Sequence, residues 1–422
     1  MVGPNDLEKK LNEFEKSIIT FLYNQNKFIW LSLCFALMVG VVYVRKWFVT
    51  MEFKFLHYPN FSNFLEPFLL AIVLSFFLPF VEKEKKIYFT AYAFFQVLLF
   101  HVFKTNGQIN LWATSLYVLI VFSSFVFLSY CSKKLSSIIV YIGYILFLLF
   151  VFISIDPEIK WILTKNIHYY ITSVVILHLE VERFNGKRYL KYLLSPTHLF
   201  LPIIFPLQET LATDSREDDS VWLSGMVQLF KSFFLLSILY LLMRYYFYDQ
   251  VTKSIPLKNI WGYYVGYLFL APVVGNFVTG LAKVYYFDVP DCSDHLWLSK
   301  SPLDFLKREN VHAYKFSIRY FYFGFLRITR SPVIIVLLYM VLFPLYRDSL
   351  TYLAVKNPLT WDAFVNYYEY RYYYSTGLLT LIFLTFRLKF FSENRNSWMP
   401  VLIHHSFMMV LFILLYLPKY LN

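Results

Sequence analysis

The sequence predicts an all-α polytopic membrane protein, a bundle of about 10–12 spanning or re-entrant helices. Three observations carry that expectation. Of the 422 residues, 58% are hydrophobic and only 16% are charged, too few polar side chains to cover a water-soluble surface of this size. Mean hydropathy is positive. Apolar runs of about twenty residues, the length that crosses ~30 Å of hydrocarbon, recur along the chain.

Three regions follow in order. Residues 1–27 hold Asn5, Asp6, Glu8, Lys9, Lys10, Glu13, Glu15 and Lys16 before the first apolar run starts at Phe28. Within them, 5–24 reads as an amphipathic helix on the membrane surface, with Leu7, Leu11, Phe14, Ile18, Phe21 and Leu22 on one face. It lacks the early apolar stretch and small-residue cleavage site of a secretory signal. Residues 28–154 carry the N-terminal spans, near 28–49, 62–81, 87–103, 111–130 and 137–154. Residues 155–422 carry the rest, near 160–180, 190–207, 222–247, 260–287, 332–346, 375–391 and 398–418. Segment 190–207 contains Pro196, Pro202 and Pro206, each removing a backbone donor, so a kinked or re-entrant piece is expected. Segment 332–346 is short enough to dip into the membrane instead of crossing it.

Orientation follows from charge. The basic loops at 82–86, 131–136 and 183–191 lie two spans apart and predict the cytoplasmic side, which puts the N-terminus there as well. The acidic loop at 208–220, QETLATDSREDDS, is expected on the opposite side. Arg45, Lys46 and Lys54 run against this scheme.

The net charge of +12 is spread over loops, which excludes a nucleic-acid groove and suits anionic lipid headgroups. Cys34, Cys131 and Cys292 form neither a disulfide framework nor a metal-spaced cluster. DSREDDS lacks the alternating ligands and central glycine of a calcium loop. No phosphate-binding glycine loop, nucleophile elbow or zinc signature is present.

Three stretches carry a family resemblance. HYYITSVVILHLEVERFNGKRYLKYLLSPTHLFLPIIFPLQE begins at His168 and ends in a proline-broken element; WLSGMVQLFKSFFLLSILYLL begins at Trp222. GNFVTGLAKVYYFDVPDCSDHLWLSKSPLDFLKREN, residues 275–310, is the most specific, with Gly280, Leu281, Ala282, Lys283, Asp304, Phe305, Lys307, Arg308 and Asn310 on motif places. Leu306 and Glu309 replace the two tryptophans of the pattern. Together they resemble the membrane-bound O-acyltransferases, and they cover about the middle third of the chain.

The resemblance implies a bundle around a tunnel, a cytoplasmic acyl thioester as donor (acyl-CoA or an acyl carrier protein), and a hydroxyl acceptor on an envelope glycan or lipid. It implies no bound cofactor. It also implies a multi-pass protein of the cytoplasmic membrane, partnered by the bilayer and the donor; any protein partner is left open. Asn310 is then turned to the reaction centre, with Asp304, Lys307 and Arg308 at the tunnel mouth, and His198 lines the tunnel. Spacing alone puts Leu303, Leu306 and Asn310 on one helical face and Asp304, Lys307 and Arg308 on the other. Lys307 and Arg308 meet either carrier phosphates or lipid headgroups.

Acyl transfer to an alcohol needs a base at the hydroxyl and a donor at the carbonyl oxygen. The family's histidine, a few dozen residues past Asn310, is missing: Pro344 stands there. His404 and His405, inside the last apolar span, are the candidates to replace it. Their other reading is a hydrogen bond to a neighbouring helix. Two functions therefore stay open, an acyltransferase with a relocated histidine and an inactive scaffold or passage on the same fold.

Overall fold

A computed structural model describes residues 3–48, 70–99, 218–247, 259–316, 323–326 and 396–416, with scattered positions in 104–119 and 190–196, at 256 and in 329–334. Their regular structure is almost wholly helical; the exception is a two-residue antiparallel pair, Lys104–Thr105 with Gln108–Ile109. The main helices are α1 (Pro4–Tyr23), α2 (Lys27–Phe48), α3 (Lys86–Val97), α4 (Asp219–Leu242), α5 (Gly262–Val284), α6 (Pro302–Glu309), α7 (Val311–Phe316) and α8 (Trp398–Tyr416). Apart from scattered positions in 111–119 and at 334, the expected spans centred in 111–180, 332–346 and 375–391 lie outside the described residues.

The frame is an antiparallel pair, α4 against α5. Two continuous helical stretches, Asp219–Phe247 of 29 residues and Tyr264–Val284 of 21, are long and apolar enough to cross a membrane. At 1.5 Å per residue they measure about 43 and 31 Å. Asp218 caps α4, its carboxylate accepting from the Ser220 amide at 3.0 Å. The inward face of α4 repeats at three- and four-residue steps through Trp222, Met226, Leu229, Phe233, Leu236 and Tyr240, all buried.

Glycine sets how close the pair comes. A Cβ on Gly225 would stand 2.8 Å from the Gly280 carbonyl, and one on Gly280 would stand 2.8 Å from that of Gly225. The backbones are therefore in direct contact, the arrangement small residues allow between apolar helices. Farther along, Ser232 donates to the Val273 carbonyl at 2.7 Å, next to Pro272, which has no amide to donate inside α5.

At its C-terminus α5 closes as a Schellman turn: the Phe287 amide donates to Ala282 at 3.0 Å and that of Tyr286 to Lys283 at 2.8 Å. The left-handed position falls on Tyr286, with φ of 62°, where glycine is the usual residue. An L side chain there costs about 1–2 kcal/mol, so its surroundings must over-determine it. Lys86 lies 4.0 Å and Lys191 5.5 Å from the ring centroid, and the hydroxyl donates to Asp219 at 3.0 Å.

This junction corrects the expected sidedness. Asp219, from the acidic loop, sits at the same end of the bundle as Lys86 and Lys191, from two basic loops, and pairs with Lys27 at 3.6 Å. The acid does not mark the opposite face; it answers the lysines around it.

α1 covers the expected amphipathic stretch and runs antiparallel to α4. Its C-terminal end is held where Trp30 Nε1 donates to the Leu22 carbonyl at 2.8 Å while Trp30 stacks on Trp222. Phe14 and Phe21 remain exposed, at 64% and 63%, as a lipid-facing ridge requires. The stripe at Asn5, Glu8, Asn12 and Glu15, spaced i, i+3, i+7 and i+10, turns instead onto protein.

Candidate functional site

Between α5 and α6 the chain turns back along α5. The Cys292 amide donates to Thr279 Oγ1 at 3.0 Å, and Ser293 passes so close to Gly275 that a Cβ there would lie 2.7 Å from the serine's own. Farther down, Leu296 joins a core with Tyr264, Leu270, Phe305 and Met408. The polar stretch is thus drawn back along the hairpin instead of being held at its end.

Helix α6 begins in a serine cap written SPLD, a variant of the capping box in which the acid reaches one residue farther back. Ser301 Oγ accepts from the Asp304 amide at 3.0 Å, the Asp304 carboxylate accepts from the Lys300 amide at 3.0 Å, and Pro302 fills the first turn. The helix then stops at Glu309. Asn310 is extended, with φ of −147° and ψ of 91°, and the next amide, Val311, donates across to the Cys292 carbonyl at 2.8 Å. Here the structure departs from the spacing argument: Asn310 is not on a continuous face with Leu303, because the loop takes the bond that would have carried the helix through. Asn310 is half-buried at the α6–α7 junction, its carbonyl accepting from the Tyr314 amide at 2.9 Å. Two residues on, His312 is fully buried and donates from Nε2 to the Pro290 carbonyl at 2.9 Å.

The charged residues of α6 answer to α1 and to each other. Arg308 donates to Glu8 at 2.9 Å and to Asp304 at 3.0 Å, and its carbonyl accepts from the Asp294 amide at 2.9 Å. Burial pulls the Arg308 pKa down, but the bond to Glu8 and the nearby carboxylates more than offset this and raise it. Asp294 titrates higher than usual, mainly through burial, partly relieved by Arg308. His295 titrates lower, again through burial first and then through Lys231. Its Nε2 stands 3.1 Å from Asn12 Oδ1. Lys307 lies 5.9 Å from the Tyr314 ring centroid. Asp304 and Arg308, expected at a tunnel mouth, therefore have structural partners, while His198 and Pro344 lie outside the described residues.

The last helix brings its histidines to this place. His404 is fully buried, its ring 5.6 Å from that of Phe305 on α6 and 5.0 Å from that of His405. His405 Nε2 is 2.9 Å from the Trp297 carbonyl, so this nitrogen carries the proton, and Nδ1 accepts from the Tyr264 hydroxyl at 2.5 Å. Both nitrogens are committed, which makes His405 a brace, while His404 is the buried imidazole whose ring faces Phe305 of α6. Tyr267, stacked on Phe305 with ring centroids 6.1 Å apart, donates to Glu309. Tyr264, Tyr267 and His295 were not singled out from the sequence, and Glu309 was singled out only as a replaced tryptophan. The only readable sign was that Glu309 departs from the family's tryptophan.

Lys283, another motif position, bonds Asp291 at 2.9 Å and Ser224 at 3.3 Å, tying the end of α5 to the loop and to α4. Among the described residues no three His, Cys, Asp or Glu side chains gather as a metal site. No protein-family model matches this chain, and no curated protein and no solved structure matches it. The features above are therefore the whole basis for a functional reading.

Proposed function

We propose that this chain is a multi-pass protein of the cytoplasmic membrane that transfers an acyl group from a thioester to a hydroxyl on an envelope glycan or lipid. One observation supports this above the rest. The motif helix α6 and the histidine pair of α8, almost a hundred residues apart in sequence, meet through Phe305 and His404 at 5.6 Å. A buried imidazole beside the segment that ends in Asn310 is what a relocated base requires.

In the proposed reaction the acceptor oxygen attacks the thioester carbonyl while His404 takes its proton. The carboxamide of Asn310 donates to the carbonyl oxygen as charge grows there. The carbon–sulfur bond then breaks, and His404 returns the proton to the departing thiolate. His405, fixed by Tyr264 and Trp297, keeps its neighbour's helix in register. The exposed apolar faces of α2 (Phe28, Phe35, Val39) and α8 (Met399, Leu402, Val410) suit lipid contact.

The second reading, an inactive scaffold on the same fold, is favoured by Pro344 and by the internal engagement of Asp304 and Arg308. One experiment separates the two. Full-length protein in detergent is given a labelled acyl thioester, and thioester loss is compared among wild type, N310A, H404Q and H405Q. Loss of about 10²-fold or more in N310A and H404Q is expected for a base and an oxyanion donor. Equal rates in all four discard the enzyme and leave the scaffold.

A further inference from the structure

We propose that the C-terminal end of α4 is a binding site for an anionic phospholipid, with the lipid phosphate on Arg244 and an acyl chain in the apolar groove beneath it. The site is independent of acyl transfer. Past Leu242 the helix widens into a π-helical turn, Met243–Phe247, a rare form that recurs at functional sites. Contacts from the following segment hold that turn. Asn259 Nδ2 donates to the Tyr246 carbonyl at 2.9 Å, and the Phe247 ring packs edge-on against Trp261 with centroids 4.5 Å apart. Phe247 also lies over Gly262, where a Cβ would stand 2.4 Å from its ring. The turn buries Met243 and Phe247 and leaves Arg244, Tyr245 and Tyr246 exposed.

The groove is the second observation. Ile238, Leu241, Leu242, Tyr245 and Tyr246 line an open cleft of about 590 Å³. Clefts of ~300–1,000 Å³ hold small apolar ligands. Charge is the third. The Arg244 guanidinium lies 5.7 Å from the Tyr240 ring centroid and 5.8 Å from that of Tyr245, and Nη1 donates to the Tyr240 hydroxyl at 2.5 Å. Among the described residues no carboxylate pairs with it. The rest of its planar fork of donors faces outward, in the geometry that takes a phosphate by two bonds.

Depth fits the same occupant. At ~1.5 Å per residue Arg244 stands about 37 Å along the axis from Asp219. A bilayer measures ~30 Å across its hydrocarbon and ~40–45 Å with its headgroups, so with Asp219 in one headgroup layer Arg244 reaches the other. Ile238 then lies about 9 Å farther in, among acyl chains, and Tyr245 and Tyr246 stand at the interface. An arginine reaching for water would account for the charge alone, not for the groove under it or the turn that presents it. A zwitterionic headgroup brings its own cation toward the guanidinium, so an anionic lipid is favoured.

Photolabelling tests this directly. Full-length protein is reconstituted in phosphatidylcholine vesicles that contain a trace of either phosphatidylglycerol or phosphatidylcholine with a diazirine on the acyl chain, and labelled positions are mapped by mass spectrometry. The phosphatidylglycerol probe is expected to label 238–246 more strongly than the phosphatidylcholine probe does. Arg244→Gln should lower that labelling about tenfold while leaving the label on the exposed Met399 and Leu402 of α8 unchanged. Leu241→Trp, which fills the groove and keeps the arginine, should lower it as well, and it stands in under the same criterion if Arg244→Gln does not fold. Equal labelling of 238–246 by the two probes, or labelling unchanged in both variants, makes this ordinary lipid contact and overturns the proposal. Label on α8 with none at 238–246 overturns it too, and label at neither place removes the membrane reading along with it.

Discussion

The contact between α1 and α6 gives the most direct test of how the described part is held together. Arg308 is 14% and Glu8 23% exposed at the side chain, so solvent screens their pair less than it would a surface pair. Replacing Arg308 by methionine keeps the stem and removes the guanidinium. It deletes the bonds to Glu8 at 2.9 Å and to Asp304 at 3.0 Å and leaves two carboxylates facing each other. Charge-assisted bonds contribute about 1.5–3 kcal/mol each, and removing one partner of a partly buried pair costs about 3 kcal/mol or more. Glu8→Gln keeps an acceptor and loses only the charge, so about 1–2 kcal/mol is expected.

Hydrogen exchange of the α1 amides reads this directly, because α1 is the element released. At 1.36 kcal/mol per factor of ten, a loss of about 3 kcal/mol speeds exchange roughly a hundredfold. The double variant should fall short of the sum by about 1–2 kcal/mol, the coupling expected of residues in contact. If α1 exchanges at the wild-type rate in Arg308→Met, the stripe from Asn5 to Glu15 is not what docks the helix, and the account of α1 fails.

Two further perturbations probe the helix pair and the loop. Gly280→Ala places a methyl group 2.8 Å from the Gly225 carbonyl, which forces α4 and α5 apart at a cost of about 1–3 kcal/mol; a lowered Tm is expected, and an unchanged one refutes the close crossing. For His295, burial holds the imidazole below its usual pKa, so the unfolded chain takes up a proton first. Its contribution to stability is therefore complete above about pH 6.5 and is lost as pH falls below that value. Asp294, 3.9 Å away and titrating high, works in the opposite sense at lower pH, since the folded form keeps its proton longer. Replacing His295 by glutamine retains a donor toward Asn12 and should flatten the decline in Tm between about pH 7 and pH 5.5. A decline parallel to wild type would show that His295 is not the group responsible.

The parts legible in the sequence are those whose cause is local. The two long apolar runs became α4 and α5, and the three- and four-residue spacing of Leu7, Leu11, Phe14, Ile18 and Leu22 marked α1. SPLD also holds a start signal, a serine three residues before an acid, which the expectation for 302–310 did not use. What was not legible depends on distant chain. Asn310 leaves the helix because a carbonyl from Cys292 recruits the following amide, and no spacing rule within 302–310 reports that. The acid at 219 was assigned to the wrong side because a loop's charge was read alone, without the lysines of two other loops that it meets. His404 and His405 were both candidates from adjacency, and only the partners Tyr264 and Trp297 show that His405 is occupied.

α1 is seated by Arg308 from the charged passage, by His295 from the loop before it and by Lys231 from α4. Three contacts set the register: Glu8 with Arg308, Asn12 with His295 and Glu15 with Lys231. Sliding α1 by one residue in one direction would bring Lys9 to Arg308 and Lys16 to Lys231, two like-charge meetings in a partly desolvated seat. Sliding it in the other direction would bring Leu7, Leu11 and Phe14 to the same positions and take from the guanidinium, the imidazole and the ammonium their partners on α1. Apolar contact alone tolerates such slips, since one greasy ridge packs much like the next. Polar groups placed inside an apolar chain remove that freedom.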